Sequence, residues 1–187
     1  MVKFLAKLLS GFWFLSGKKV RRDKRVEIAS WLYGRKIRRV AKSVGRHLTV
    51  LKPSTVTPAT TIGDFSGMSD THIHGAGEVV IGSHTFLSEG TLVFSQNHNY
   101  DTDTMLPFGH DWTLKPVHID DCVWVGVRCI ILPGTHIGEG AIIQAGSVVH
   151  GEIPPCAIAG GNPAKVFAYR NREHYDELRR QGRYTTG

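Results

Sequence analysis

Ile119-Asp120-Asp121-Cys122-Val123-Trp124, Val125-Gly126-Val127-Arg128-Cys129-Ile130, Ile131-Leu132-Pro133-Gly134-Thr135-His136, Ile137-Gly138-Glu139-Gly140-Ala141-Ile142 and Ile143-Gln144-Ala145-Gly146-Ser147-Val148 follow one another without a gap. Every block opens on Ile or Val. Four places later stands Val, Cys, Thr, Ala or Ser. An internal repeat sets the architecture before any other signal does. Two inward places per six residues, one large and one small, predict a parallel β-helix. Each hexad supplies one short strand and one corner, and three hexads close a coil. Gly126 and Gly138 take the second place, where a corner is crowded or φ is strained.

The beat extends upstream through Val50, Val56, Ile62 and Met68. Its phase slips near Gly75-Ala76-Gly77 and resumes at Ile81, Leu87 and Val93. It breaks again over 99–118, a stretch that opens on the polar run Asn99-Tyr100-Asp101-Thr102-Asp103. A long excursion from a compact repeat is usually functional.

With 187 residues, the chain is long enough for one domain with a continuous stacked core. The three cysteines, Cys122, Cys129 and Cys156, form no framework spacing and predict free thiols in a reducing compartment, the cytoplasm. Cys129 takes a small inward place and reads as a buried hydrophobe. The formal charge of +7 is segregated: residues 1–52 carry 15 Lys and Arg against 2 Asp and Glu, whereas residues 53–163 carry 2 against 11. No nucleic-acid module accompanies the basic run, so a nucleic-acid partner is not expected.

The chain divides into a basic, amphipathic helical segment over 1–46, a β-helix over 47–166 and a C-terminal helix and tail over 167–187. Phe4, Leu5, Leu8, Leu9, Phe12, Trp13 and Leu15 make a near-helical stripe, followed by Lys18-Lys19-Val20-Arg21-Arg22. The stripe is too short to span a bilayer, and no small-residue cleavage site follows it. It suits a helix packed on its own domain or on a neighbouring subunit. It also suits peripheral contact of residues 1–22 with the inner face of a membrane. A second helix is predicted over 26–44 with Ile28, Trp31, Leu32, Ile37 and Val40 on one side. A third, over Ala168–Gln181, would cap the last coil.

In the phase set by Val93, the small inward place is Asn97, so His98 points outward where the excursion begins. Trp124 takes the same outward place after it. An outward Trp exposes apolar area unless a loop, a ligand or another subunit covers it.

Four motifs stand in order around these residues: Ser95-Gln96-Asn97-His98-Asn99-Tyr100, Ile119 to Gly126, Gln144-Ala145-Gly146-Ser147-Val148-Val149, and Ile153-Pro154-Pro155 with Ala159-Gly160-Gly161-Asn162-Pro163-Ala164-Lys165. From about Val80 to Val166 the chain resembles the hexapeptide-repeat acyltransferases. Within them it is similar to the sugar O-acetyltransferases of the galactoside, maltose and capsule or colanic-acid types. That resemblance implies a left-handed β-helix, a homotrimer, acetyl-CoA as co-substrate without a metal, and a sugar or glycan acceptor used in surface polysaccharide or glycolipid synthesis. It makes His98 the general base that takes the proton of the attacking hydroxyl. Trp124, Gly126, Val127 and Ala145 would line the path of the pantetheine arm. Lys165 would meet the coenzyme's phosphates, with Arg170 as a second candidate. Glu89, Asp101 and Asp103 are candidates to orient His98. One departure is His150-Gly151, where the family often has Thr-Lys.

Three other readings share these residues. N-acetylation of an amino sugar uses the same base. A non-catalytic scaffold is possible because fold does not dictate function. A γ-carbonic-anhydrase-like zinc site would need three histidines, but the expected pair five apart is missing. His72 and His74 would share one strand face, and His118 and His136, one coil apart, would stack on the surface.

Overall fold

The structure, a computed structural model, describes residues 18–185. Its body is a parallel β-solenoid whose strands stack into three sheets. The six-stranded sheet runs Ser43–Val44, Thr60–Ile62, Val79–Ile81, Val117–Ile119, His136–Ile137, Glu152–Ile153. The seven-stranded sheet runs from Thr49–Val50 through Gly67–Met68, Phe86–Leu87, Trp124–Val125 and Ile142–Ile143 to Ala157–Gly161 and Ala164–Tyr169. The four-stranded sheet holds His72–His74, Leu92–Phe94, Ile130–Ile131 and Val148–Val149. The chain visits the six-, seven- and four-stranded sheets in turn, so the inside is a triangular stack of side chains.

The hexad phase is the phase of that stack. Ile119 pairs with Ile137, Val125 with Ile143 and Ile131 with Val149, each one coil apart. All of these side chains, together with the small-place residues Val123, Cys129, Thr135, Ala141 and Ser147, are closed to solvent. The buried hydroxyls are satisfied locally. Thr85 donates to the Asp120 carbonyl at 2.7 Å, Thr135 to Leu132 at 2.6 Å and Ser147 to Gln144 at 2.6 Å. Gly126 has no room for a side chain, because a Cβ there would lie 2.6 Å from the Ala145 amide nitrogen of the next coil. His118 and His136 stand in register as the eighteen-residue spacing predicts.

Four details depart from the sequence reading. First, the phase slips twice. The partner of Val56 is Ile73, one residue early, because Thr55 pairs with His72; the chain then gains two residues through Gly75-Ala76-Gly77 before Ile81. Second, the excursion is a hairpin. Gln96–His98 pairs antiparallel with Trp112–Leu114, and the coil resumes at Val117 rather than Ile119. Third, the N-terminal helix, α1, spans Lys18–Val40, not 26–44. It docks through Gly34 and Ile37, with Ser30 accepting from the Val50 amide at 3.1 Å, while Trp31 and Ile28 face away. The contact is narrow: it centres on Thr49–Val50, and Arg38 adds a bond to the Gly45 carbonyl at 3.0 Å. Fourth, Ala164–Tyr169 reverses direction and pairs with Ala157–Gly161 as an edge strand, so the last helix, α2, covers only Arg172–Arg180. The Asn171 side chain caps it by accepting from the His174 amide at 2.9 Å.

Residues 1–17 of the apolar stripe lie outside the described residues. Among the described residues, no helix is long and apolar enough to cross a membrane.

Candidate active site

His98 ends its strand at the root of the hairpin, directly opposite Trp112. Its ring is half-buried between two aromatics, Phe108 and Trp112, each with a centroid 3.9 Å away. Backbone bonds hold this root. Asn99 donates to Asp111 at 3.0 Å, Lys115 to Ser95 at 2.9 Å, and the Ala76 amide to the Gln96 side chain at 2.9 Å. The imidazole is thus fixed in orientation by packing. Among the described residues no carboxylate bonds to it. Glu89 instead pairs with Lys52 at 2.6 Å, and Asp101 and Asp103 make no side-chain bond to His98. Phe108 and Trp112 are the positioning residues that sequence reasoning missed. Only the hairpin register reveals them, because in the sequence 99–118 reads only as a polar break in the repeat.

The other predicted residues gather elsewhere. Gly126 and Val127 follow the strand Trp124–Val125, and Ala145 follows Ile142–Ile143, so they occupy one corner on successive coils. The Gly126 amide is consumed inside the solenoid, donating to Ile143 at 2.9 Å. The Val127 and Ala145 amides have no acceptor among the described residues. Parallel strands on adjacent coils lie about 4.8 Å apart, so these are two free donors in a row. Lys165, exposed and opposite Gly160 on the edge strand, stands at the end of that row. Arg170 does not join it. Its guanidinium donates to the Gly140 carbonyl at 2.6 Å and lies over the Tyr175 ring, which fastens α2 to the body.

Trp124 is 53% exposed on the seven-stranded face, with its indole N–H donating to Ser88 at 3.3 Å. It lines a groove of about 1340 Å³ between α1 and α2. Phe86 and Met68 share the floor, and Tyr175, Arg179 and Tyr184 form the far wall. Burial, reinforced by bonds to Cys122 and Glu139, holds the Tyr175 phenol far above its ordinary range. It stays protonated and donates to Glu139 at 2.9 Å. Beside the groove the rings of His47, Phe65, His84 and Tyr184 stack in succession, with centroids 4.8, 5.2 and 3.9 Å apart. The first three occupy equivalent corners at positive φ, a roughly coil-length spacing that the sequence did contain.

His98 and the amide row are not brought together within one chain. The hairpin leaves from the corner between the four- and six-stranded sheets. The row lies between the seven- and four-stranded sheets, so the four-stranded face separates them. Among the described residues, no three His, Cys, Asp or Glu side chains form a metal-binding group. His72 is bonded to Thr55 and Asp70, and His74 stacks on Phe94.

Residues 116–151 match the family described as "Bacterial transferase hexapeptide (six repeats)". The chain resembles the hexapeptide-repeat acyltransferases. Over 90 residues it is 38% identical to a protein of Saccharomyces cerevisiae, covering 48% of this chain and 45% of that one. Over 103 residues it is 31% identical to YvoF of Bacillus subtilis, covering 55% and 54%. Both relatives bear provisional acetyltransferase names, and the chain spans about half the length of each. In fold it is similar to a hexapeptide-repeat-containing acetyltransferase of Vibrio cholerae solved with acetyl coenzyme A, at a TM-score of 0.65 and 20% identity over 83% of this chain and 92% of that one. A galactoside acetyltransferase in complex with coenzyme A superposes at 0.61 with 21% identity, over 91% of this chain and 80% of that one. An N-acyltransferase of Bacillus cereus, solved with a dTDP-linked amino sugar and coenzyme A, does so at 0.58 with 18% identity, over 79% and 94%.

Proposed function

We propose that the chain transfers an acetyl group from acetyl-CoA to a hydroxyl of a sugar or glycan, in the cytoplasm, during surface polysaccharide or glycolipid synthesis. The observation that carries this reading is the imidazole of His98, clamped between Phe108 and Trp112 beside the hairpin. Neutral imidazole takes the proton as the acceptor oxygen attacks the thioester carbonyl. The carbon–sulfur bond breaks, acetyl passes to the oxygen, and the thiolate of coenzyme A leaves and is protonated. No covalent enzyme intermediate is needed, because the thioester is already activated.

The Val127 and Ala145 amides suit the carbonyls of the pantetheine arm. Lys165, at the end of the row, suits a phosphate. Reacting atoms must come within about 3.5 Å of each other, which His98 and this row do not achieve across the four-stranded face of one chain. A cyclic trimer would bring one subunit's hairpin to its neighbour's row. The Vibrio cholerae and galactoside enzymes, solved with acetyl-CoA and coenzyme A, support the donor. The acetylated atom is the finer part of the proposal, since the Bacillus cereus neighbour acts on nitrogen.

The test is release of coenzyme A thiol with a panel of hydroxyl and amino sugars, alongside calorimetry of acetyl-CoA binding and sedimentation equilibrium. Acetyl-CoA binding, transfer to hydroxyl sugars and a mass of three chains are expected. No acetyl-CoA binding would overturn the reading. Transfer to amines alone would replace oxygen by nitrogen.

A further inference from the structure

The outer face of α1 takes no part in the transfer proposed above. We propose that it docks the protein on an anionic lipid surface. Residues 18–42 hold eleven Lys and Arg against Asp23 and Glu27. The helix turns Ser30, Gly34 and Ile37 to the first coil. At helical spacing the opposite face then carries Lys24, Ile28, Trp31, Arg35 and Arg39, all exposed. Trp31 is 61% exposed, and the Arg35 guanidinium lies 5.3 Å from its ring centroid. Among the described residues, Lys24, Arg35 and Arg39 have no ion-pair partner.

A polyanion such as nucleic acid would use the cations but has no need of Ile28 and Trp31. A lipid headgroup layer uses both, taking the apolar groups at the acyl boundary and the guanidinium groups at the phosphates. The preceding residues 1–17 add Phe4, Leu5, Leu8, Leu9, Phe12, Trp13 and Leu15 at the same end of the chain, a second apolar signal in the sequence. Residues 53–163 carry 2 Lys and Arg against 11 Asp and Glu, so an anionic surface repels the body and turns α1 toward it.

The experiment is flotation of the full chain with phosphatidylcholine vesicles, alone or with phosphatidylglycerol, at low and high salt. Binding confined to the anionic vesicles and weakened by salt is expected. Each basic residue near such a surface is worth about fivefold in affinity. The Lys24→Glu, Arg35→Glu, Arg39→Glu variant should therefore lose at least about a hundredfold. An Ile28→Ser, Trp31→Ser variant should lose binding at unchanged charge, while Arg35→Lys, Arg39→Lys keeps it. These positions are exposed on a helix that packs on Thr49–Val50, whereas His98 lies in the hairpin, so unfolding temperature and turnover on a soluble acceptor should not change. That separates this test from the test of the transfer reaction. The proposal is overturned if the intact chain ignores anionic vesicles. It is equally overturned if the charge-reversed variant binds like the parent, or if the Ser variant does so while a DNA duplex displaces the vesicles.

Discussion

The coils from Val117 to Val149 and the hairpin from Gln96 to Leu114 are both β-structure on one solenoid, yet they end in opposite states. In the coils every strand but the last, Val148–Val149, is paired on both sides, and the inward residues Ile119, Val125, Ile131, Ile137 and Ile143 are closed to water. The hairpin is two strands wide and leaves Tyr100, Leu106, Phe108, Trp112 and Leu114 exposed. A lone two-stranded ribbon is marginal in water, and an apolar cluster of this kind marks a surface that another chain or a substrate completes. The coils are therefore finished within the chain, whereas the hairpin, which holds His98, leaves its apolar side chains uncovered by it. Stability should accordingly respond to changes in the coils, and activity to changes in the hairpin.

The largest expected effect breaks activity alone. His98→Ala should lower kcat by about a hundred- to ten-thousandfold with acetyl-CoA affinity and unfolding temperature unchanged. Near-normal turnover would remove His98 from the proposed role. Next comes a matched pair read by denaturant unfolding. Ile131→Ala should cost about 2–5 kcal/mol, because it empties a closed core position. Leu106→Ala, at a hairpin position 91% exposed, should stay within about 0.5 kcal/mol. Comparable losses would mean that the hairpin packs as tightly as the coils do.

Gly126→Ala should be intermediate. Its methyl would meet backbone rather than a movable side chain, which costs about 1–3 kcal/mol. The shift should also disturb the Ala145 amide and raise KM for acetyl-CoA.

The smallest effect is on pH dependence. Burial opposes the charge on His136, but Asp120 at 3.0 Å and Glu152 at 3.1 Å outweigh it and raise its pKa. The stabilisation is therefore fully present below the unfolded value of about 6.5 and is lost as pH rises through the folded value. The His136 side chain is 42% exposed, so after solvent screening the contribution stays below about 1 kcal/mol. Unfolding of His136→Gln measured from pH 6 to 9, about the range in which histidine titrates, should lack this decline. An identical slope in parent and variant would assign the decline to other groups.

Much of this was legible in the sequence, for a reason specific to solenoids. A coil closes on itself, so which residues face inward follows from local period, and the partner of Ile119 is found by counting eighteen residues. Gly126, Val127 and Ala145 were named by the family resemblance, and the structure places them on one corner of successive coils. Counting failed where period stops. Ile28, Trp31, Leu32, Ile37 and Val40 suggested one buried face for α1, but the first coil offered only a narrow strip, and Gly34 with Ile37 filled it. Ala168 looked like the start of a helix, but the open edge beyond Ala157–Gly161 had unpaired backbone groups to satisfy, and Ala164–Tyr169 satisfied them as a strand.

The sequence by itself determined the solenoid and the inward residues of its regular coils, because each depends only on neighbours a few residues away; the phase that put Asn97 inward and His98 outward stops at Ser95, and in the hairpin Asn97 is exposed and His98 half-buried. Only the tertiary structure decided that Phe108 and Trp112 clamp His98, that Arg170 serves the cap rather than the amide row, and that His98 and the row lie on separate corners. Each of those depends on register between segments whose spacing in the chain carries no period.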